Sequence, residues 1–99
     1  MQPEARIVKR IQAYVAKEGG FLVKIHGGEN PFQQPGISDL LGVYKGVPLA
    51  LEVKQPGAKP TRIQAAFLRK WSAAGGVSAV VTSVYEVQGI LDAINRGGK

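Results

Sequence analysis

Hydrophobic residues recur at helical spacing in three segments of the chain. In the first segment the repeat is formed by Ile7, Val8, Ile11, Tyr14 and Val15. Each segment ends on a glycine pair, which is a helix stop. The second and third begin at Thr61 and Ser83, each three residues before a Gln or Glu, which is the spacing of a capping box. The pattern therefore predicts three helices, over residues 3–20, 61–76 and 83–98.

Short apolar runs between these helices predict four strands, over residues 21–26, 37–44, 47–54 and 77–82. Only Lys45 and Gly46 separate the second run from the third, which indicates a hairpin with a tight turn. The predicted order is α-β-β-β-α-β-α. This order favours an α/β fold in which a mixed β-sheet is flanked by helices. If the last two strands are parallel, their connection should be right-handed.

The predicted hairpin brings ionisable side chains together. If Lys45 and Gly46 are the turn residues, Asp39 faces Glu52 directly, with Cβ atoms about 4.5–5.5 Å apart. Lys54 lies two residues after Glu52 and so shares its face of the sheet. A three-residue turn would shift the register by one and separate the carboxylates.

Two carboxylates at this spacing repel each other unless a positive charge lies between them. Carboxylates, backbone carbonyls and water are the ligands that Mg²⁺ or Mn²⁺ accepts. A metal ion beside Lys54 would suit phosphodiester hydrolysis, because the ion activates water and the lysine stabilises developing negative charge. The alternative is a cross-strand ion pair on a solvated face of the sheet.

Composition narrows the class of protein. The chain has 99 residues, no cysteine and a net charge of +6, and its pI is about 9.9. We expect one domain over residues 1–99, without disulfides or thiolate metal sites. No apolar run approaches the roughly 20 residues that span a membrane, and no signal peptide is visible, so a cytoplasmic setting in a bacterial or phage-infected cell is expected. The basic balance favours nucleic acid as a partner.

The motifs resemble those of a known nuclease family. They are "GISD" (36–39), "LEVK" (51–54), the loop "QPGAKPT" (55–61), Gln64, and "GGVSAVVTS" (75–83). Together they are similar to the PD-(D/E)XK nuclease superfamily, and most closely to its virus-type replication-repair nuclease (VRR-NUC) branch, with a restriction-endonuclease-like fold. Ser38 stands where the superfamily name has proline, a position that shapes the backbone and performs no chemistry.

The resemblance implies roles for the hairpin residues. Asp39 and Glu52 would be the metal-binding carboxylates, and the carbonyl of Val53 would complete the protein ligands. Lys54 would be the catalytic lysine. The implied cofactor is Mg²⁺ or Mn²⁺.

Two further residues have an implied role and a structural alternative. Gln64 would point at the active site and help to position water or DNA, or it would only cap its own helix. Glu4 would be an outer-sphere or second-metal ligand, or it would only complement the dipole of the first helix.

Basic residues supply candidate phosphate contacts. Lys59 and Arg62 are the strongest candidates, because they lie at the start of the helix that follows the catalytic strand, where backbone amides favour anions. Lys24 and Lys45 are further candidates for DNA binding. The sequence leaves the roles of His26 and Phe32 open.

The spacing of Phe67 and Trp71, four residues apart, predicts that both rings are buried in the core.

The expected function is metal-dependent hydrolysis of DNA phosphodiester bonds. The resemblance points to branched or four-way junction DNA in replication, repair or recombination, and to a homodimer. Two alternatives stay open: a DNA-binding module that has lost catalysis, and a basic protein-interaction domain.

Overall fold

The computed structural model describes residues 3–25 and 34–97. The predicted order of helices and strands is confirmed. The elements are α1 (Pro3–Lys17), β1 (Phe21–Lys24), β2 (Leu40–Tyr44), β3 (Val47–Val53), α2 (Arg62–Ala73), β4 (Val77–Val81) and α3 (Val84–Asn95). Helix α1 ends three residues earlier than predicted, and Gly19 then takes a positive φ of 96°. Strand β2 begins at Leu40 rather than at residue 37.

The four strands form one mixed sheet in the order β1-β2-β3-β4. The pairs β1/β2 and β2/β3 are antiparallel, and β3/β4 is parallel. The predicted mixed sheet flanked by helices is therefore confirmed. Helix α2 connects the two parallel strands, and its neighbour in space is β4.

The tight hairpin turn sets the register of the central pair. Lys45 and Gly46 both have positive φ values, of 49° and 78°. A two-residue turn with this geometry matches the natural twist of the strands that it joins. Tyr44 consequently pairs with Val47, and every later pair follows from that one.

The helices divide between the two faces of the sheet. Helices α1 and α3 cover one face, where the core contains Val8, Ile11, Val15, Leu49, Leu51, Val53, Val87 and Leu91. Helix α2 lies on the other face, because the hydroxyl of Ser78 in β4 donates a hydrogen bond to the carbonyl of Leu68 at 2.8 Å. Ser78 pairs with Ala50, so the Ala50 side of β3 faces α2.

The two predicted capping boxes differ. At α2 both bonds form: Gln64 N–H donates to Thr61 Oγ1 at 3.1 Å, and Thr61 N–H donates to Gln64 Oε1 at 2.9 Å. At α3 only Ser83 caps, since the carboxylate of Glu86 accepts from Thr82 instead. No helix within the described residues is both long and apolar enough to cross a membrane.

Candidate active site

The hairpin register brings the predicted carboxylates to one end of the sheet. Leu40 pairs with Leu51, so the register that places Asp39 opposite Glu52 is the predicted one. Asp39 lies one residue before β2, and its Oδ2 accepts a hydrogen bond from the backbone N–H of Val53 at 2.8 Å. The carboxylate of Asp39 therefore reaches across to β3 and lies beside Glu52.

Glu52 is a buried carboxylate with incomplete pairing. Its side chain is 3% exposed, and its Oε2 lies 3.4 Å from Lys54 Nζ. Its Oε1 is buried and has no hydrogen-bond partner within residues 3–25 and 34–97. Buried polar atoms are nearly always paired, so an unpaired carboxylate oxygen in this position needs a cause.

The surroundings of Glu52 change its acidity. Burial, followed by the negative charge of Asp39, raises the pKa of Glu52 from 4.5 to about 7. Lys54 acts in the opposite direction, through its charge and its hydrogen bond, and does not offset the first two effects. At neutral pH the site thus holds a carboxylate whose negative charge is costly to keep.

Lys54 is fixed by the backbone on which it lies. Its N–H donates to the carbonyl of Val81 at 3.0 Å, which continues the parallel pairing of β3 with β4 past the last strand residue. Its side chain is 17% exposed, in contrast to the buried Glu52. The ammonium group can therefore contact both Glu52 and a molecule outside the protein.

The donor set at this end of the sheet fits a hard divalent cation. Mg²⁺ and Mn²⁺ accept oxygen ligands such as two carboxylates and a backbone carbonyl. Such an ion could be coordinated by the buried Oε1 of Glu52. Within residues 3–25 and 34–97, no cluster of three or more His, Cys, Asp or Glu side chains is placed to hold a metal ion. The ligands would therefore be Asp39, Glu52 and the carbonyl of Val53, completed by water.

Glu4 lies at the side of this site. It lines a cleft of about 230 Å³ together with Ala5, Val8, Lys24 and Asp39. The first turn of α1 and the end of β1 thus contribute one acidic and one basic side chain near Asp39. The part of Glu4 in metal binding, as an outer-sphere or second-metal ligand, stays a prediction.

The remaining predicted residues lie on the loop after β3, on α2 and in the hairpin turn. Gln64 caps α2, as one of its two predicted alternatives required, and is half-buried. Lys59 and Arg62 are exposed in the loop after β3 and at the first residue of α2. Lys45 occupies the hairpin turn, six residues from Asp39 and therefore about 20 Å away along an extended strand. Its Nζ lies over the ring of Tyr44, 5.5 Å from the centroid.

His26 and Phe32 lie outside the described residues.

Sequence reasoning missed the bond between Asp39 and Val53. The hydrogen bond depends on the side-chain torsions of an aspartate outside the strand, for which no sequence pattern exists.

Sequence reasoning also missed the packing of Gly36 against α2. A Cβ on Gly36 would overlap the carbonyl oxygen of Ile63, so the chain before Asp39 passes directly along α2. The signal that could have revealed it is Gly36 itself, whose φ is 75°.

Similar structures are found among solved proteins. One, described as "VRR_NUC domain", is 25% identical to this chain, with 93% of this chain and 97% of that one covered and a TM-score of 0.74. A second, described as "VRR_NUC domain protein", is 13% identical, covers 100% of this chain and 93% of its own, and has a TM-score of 0.68. No family model matches the sequence, and no curated protein matches it.

Proposed function

The chain folds as a VRR-NUC domain, which is a nuclease-family fold, and from its carboxylate–lysine cluster we propose that it is a metal-dependent DNA nuclease. The observation that carries the proposal is the buried Oε1 of Glu52, which has no hydrogen-bond partner among the described residues and lies beside Asp39 and Lys54. A divalent cation would give this oxygen a partner and would offset the repulsion between the two carboxylates.

The cofactor in this proposal is Mg²⁺ or Mn²⁺, held by Asp39, Glu52 and the carbonyl of Val53. When bound, such an ion polarises a phosphate oxygen and lowers the pKa of a coordinated water. The N–H of Val53 orients the carboxylate of Asp39 by its 2.8 Å hydrogen bond. Pairing between β3 and β4 fixes the backbone that carries the carbonyl ligand.

Lys54 is the proposed catalytic lysine. Its ammonium lies 3.4 Å from Glu52 Oε2 and remains partly exposed, so it can contact a phosphate at the mouth of the site. There its positive charge would stabilise the negative charge that builds on the phosphate oxygens. Gln64 is proposed to help position water or DNA, and Glu4 to act on a ligand water or a second ion.

DNA is the proposed substrate, and its backbone is the source of affinity. Lys59, Arg62 and Lys24 are exposed on the elements next to the cluster. Phosphate contacts from these residues would hold the scissile bond near Lys54. Lys45 would contact DNA further away, at the opposite end of the hairpin. A branched substrate such as a four-way junction, cut by a homodimer in replication, repair or recombination, is the most specific form of the proposal.

The experiment is a cleavage assay on end-labelled four-way junction, flap, single-stranded and linear duplex DNA. It is run with Mg²⁺, with Mn²⁺ and with EDTA, for the natural chain and for Asp39→Asn and Lys54→Ala. We expect cutting that requires metal and both side chains, with a rate at least about a hundredfold lower in Lys54→Ala. The substrate that is cut fastest identifies the preferred DNA structure.

Two results would replace this proposal. Salt-sensitive DNA binding without cleavage of any substrate would favour a binding module that has lost catalysis. Absence of both cleavage and DNA binding would favour a protein-interaction domain.

A further inference from the structure

A groove runs along α2 outside the carboxylate cluster. Two adjoining cavities, of about 330 and 290 Å³, share Gln34, Phe67 and Lys70. Residues 34–36 form one wall, and the close contact of Gly36 with the backbone of Ile63 fixes that wall against the helix. The described residues that line the two cavities are Gln34, Pro35, Arg62, Ile63, Ala66, Phe67, Lys70, Trp71 and Ala74.

Two aromatic rings lie in this groove. The rings of Phe67 and Trp71 stack with centroids 5.8 Å apart and an interplanar angle of 29°. Both side chains are half-buried, so the prediction that they are core residues is wrong. They belong to α2, which among the described elements packs against β4 and β3. The rings therefore present apolar surface to the groove.

Trp71 also lies close to two residues that do not line the groove. Its Nε1 donates to the carbonyl of Pro48 at 3.4 Å, and the Cβ of any residue replacing Gly76 would lie 2.5 Å from the same nitrogen. A ring that is held in this way loses little conformational entropy when a ligand stacks on it.

The described residues that line the groove are all positively charged or neutral. Arg62 and Lys70 are two turns apart on α2 and are exposed at its edge. None of the residues that line the two cavities is acidic. Partly exposed aromatic rings between cations complement a strand of nucleic acid, whose bases stack and whose phosphates pair with basic side chains.

We propose that this groove binds a single-stranded segment of DNA, with a base stacked on Phe67 and Trp71 and its phosphates at Arg62 and Lys70. The inference rests on the proposed nuclease function, for which it supplies a substrate subsite. Arg62 is the first residue of α2 and follows the catalytic strand by one short loop. A DNA strand that leaves the carboxylate cluster past Arg62 therefore enters the groove. DNA with an unpaired segment is the substrate class that can occupy both the carboxylate cluster and the groove.

The test uses the fluorescence of Trp71, which is the single tryptophan of the chain. The protein is titrated in EDTA with an oligothymidylate and, separately, with an abasic oligonucleotide of the same length. Both probes carry the same phosphates, but only the first can stack. We expect quenching of Trp71 by the oligothymidylate and none by the abasic strand. Equal effects of the two probes, or no quenching by either, would overturn the proposal.

Variants test the two parts of the groove. Arg62→Gln with Lys70→Gln should weaken binding of the oligothymidylate at least about fivefold and lower its salt dependence by roughly one to two ions. Phe67→Leu, which keeps apolar volume but removes the ring, should also weaken binding at least about fivefold. The matched control is Lys9→Gln with Arg10→Gln, which removes the same charge from exposed positions on α1, across the sheet. An equal loss in the control would contradict the proposal.

Cleavage assays separate this proposal from the nuclease function. If the natural chain cuts DNA but Trp71 is not quenched, the groove proposal fails and the nuclease function stands. If Trp71 is quenched selectively but no substrate is cut with Mg²⁺ or Mn²⁺, the nuclease function fails and the groove is a binding site alone.

Discussion

Alternate residues of β3 face opposite sides of the sheet, and the two sides are built differently. The side under α1 and α3 carries Leu49, Leu51 and Val53, which are all buried among apolar neighbours. The side that faces α2 carries Ala50, Glu52 and, one residue past the strand, Lys54. There a carboxylate is buried, and one of its oxygens has no hydrogen-bond partner among the described residues. One face of this seven-residue strand thus stabilises the fold. The other face holds a buried charge, which lowers the stability of the fold.

The comparison indicates that the buried Glu52 lowers the stability of the fold. Burying a charged group without full pairing is unfavourable, and an apolar residue of similar size would remove that cost. The raised pKa of Glu52 expresses the same cost as a preference for the protonated form. Substitutions on the two faces of β3 should therefore change the free energy of unfolding in opposite directions.

The largest expected effect on stability is on the apolar face. Leu51→Ala should lower the free energy of unfolding by about 2–5 kcal/mol, because Leu51 is fully buried and its loss leaves a cavity. Urea unfolding measures the change. Val43→Ala is the matched control, since Val43 is 41% exposed on the neighbouring strand, and it should change stability by less than about 0.5–1 kcal/mol. Equal losses in the two variants would contradict the assigned core.

A substitution on the side of β3 that faces α2 should increase the free energy of unfolding. Glu52→Gln should raise the free energy of unfolding by up to about 3 kcal/mol above pH 7, because the pKa of Glu52 is raised to about 7 and the neutral amide avoids the cost of ionisation. The folded protein binds the proton more tightly than the unfolded chain. The gain should therefore shrink as pH falls below about 7 and vanish near pH 4.5 and below.

Unfolding of both proteins in urea at pH 8, 6 and 4.5 measures this dependence. Glu18→Gln is the control, since it removes the same charge from an exposed position on the chain and should change stability by less than about 0.5 kcal/mol. A gain for Glu52→Gln that does not vary with pH would contradict the assignment.

A divalent cation should stabilise the natural chain by a smaller amount. At a free Mn²⁺ concentration ten times the dissociation constant, the expected gain is about 1.4 kcal/mol. Affinity should rise with pH through about 7, because protonated Glu52 cannot ligate. Urea unfolding with and without Mn²⁺ measures the stabilisation, calorimetric titration measures the affinity, and Asp39→Asn should abolish both. Equal stabilisation of Asp39→Asn would show that the ion binds elsewhere.

The smallest expected effect concerns the capping box of α2. Thr61→Ala and Gln64→Ala should each lower the free energy of unfolding by about 1 kcal/mol, because each removes a bond at the helix terminus. Only Gln64→Ala should also slow cleavage by the folded protein, if Gln64 positions water or DNA as proposed. Equal cleavage rates for the two variants would mean that Gln64 only caps α2.

The sequence predicted much of the architecture, and the physical reason is local. Lys45 and Gly46 set a two-residue turn, and the period of two along each strand then fixed which residues share a face. The neighbourhood of Asp39, Glu52 and Lys54 followed from this register alone. The capping box at Thr61 was equally local.

What the sequence did not predict depends on contacts between distant parts of the chain. The half-buried state of Phe67 and Trp71 depends on how the other described elements pack around α2. The groove depends on the passage of residues 34–36 along α2. The unpaired Oε1 of Glu52 depends on side-chain torsions, which no residue pattern specifies.

Cleavage by Glu52→Gln tests most directly whether the buried charge on β3 is kept for catalysis. The variant is assayed with Mg²⁺ on the DNA that the natural chain cuts fastest, at a pH above 7 and at a temperature where both proteins are folded. We expect a protein that is more stable than the natural chain and does not cut DNA. A stabilised variant that cuts at the natural rate would contradict this expectation, because Glu52 would then have no part in the reaction.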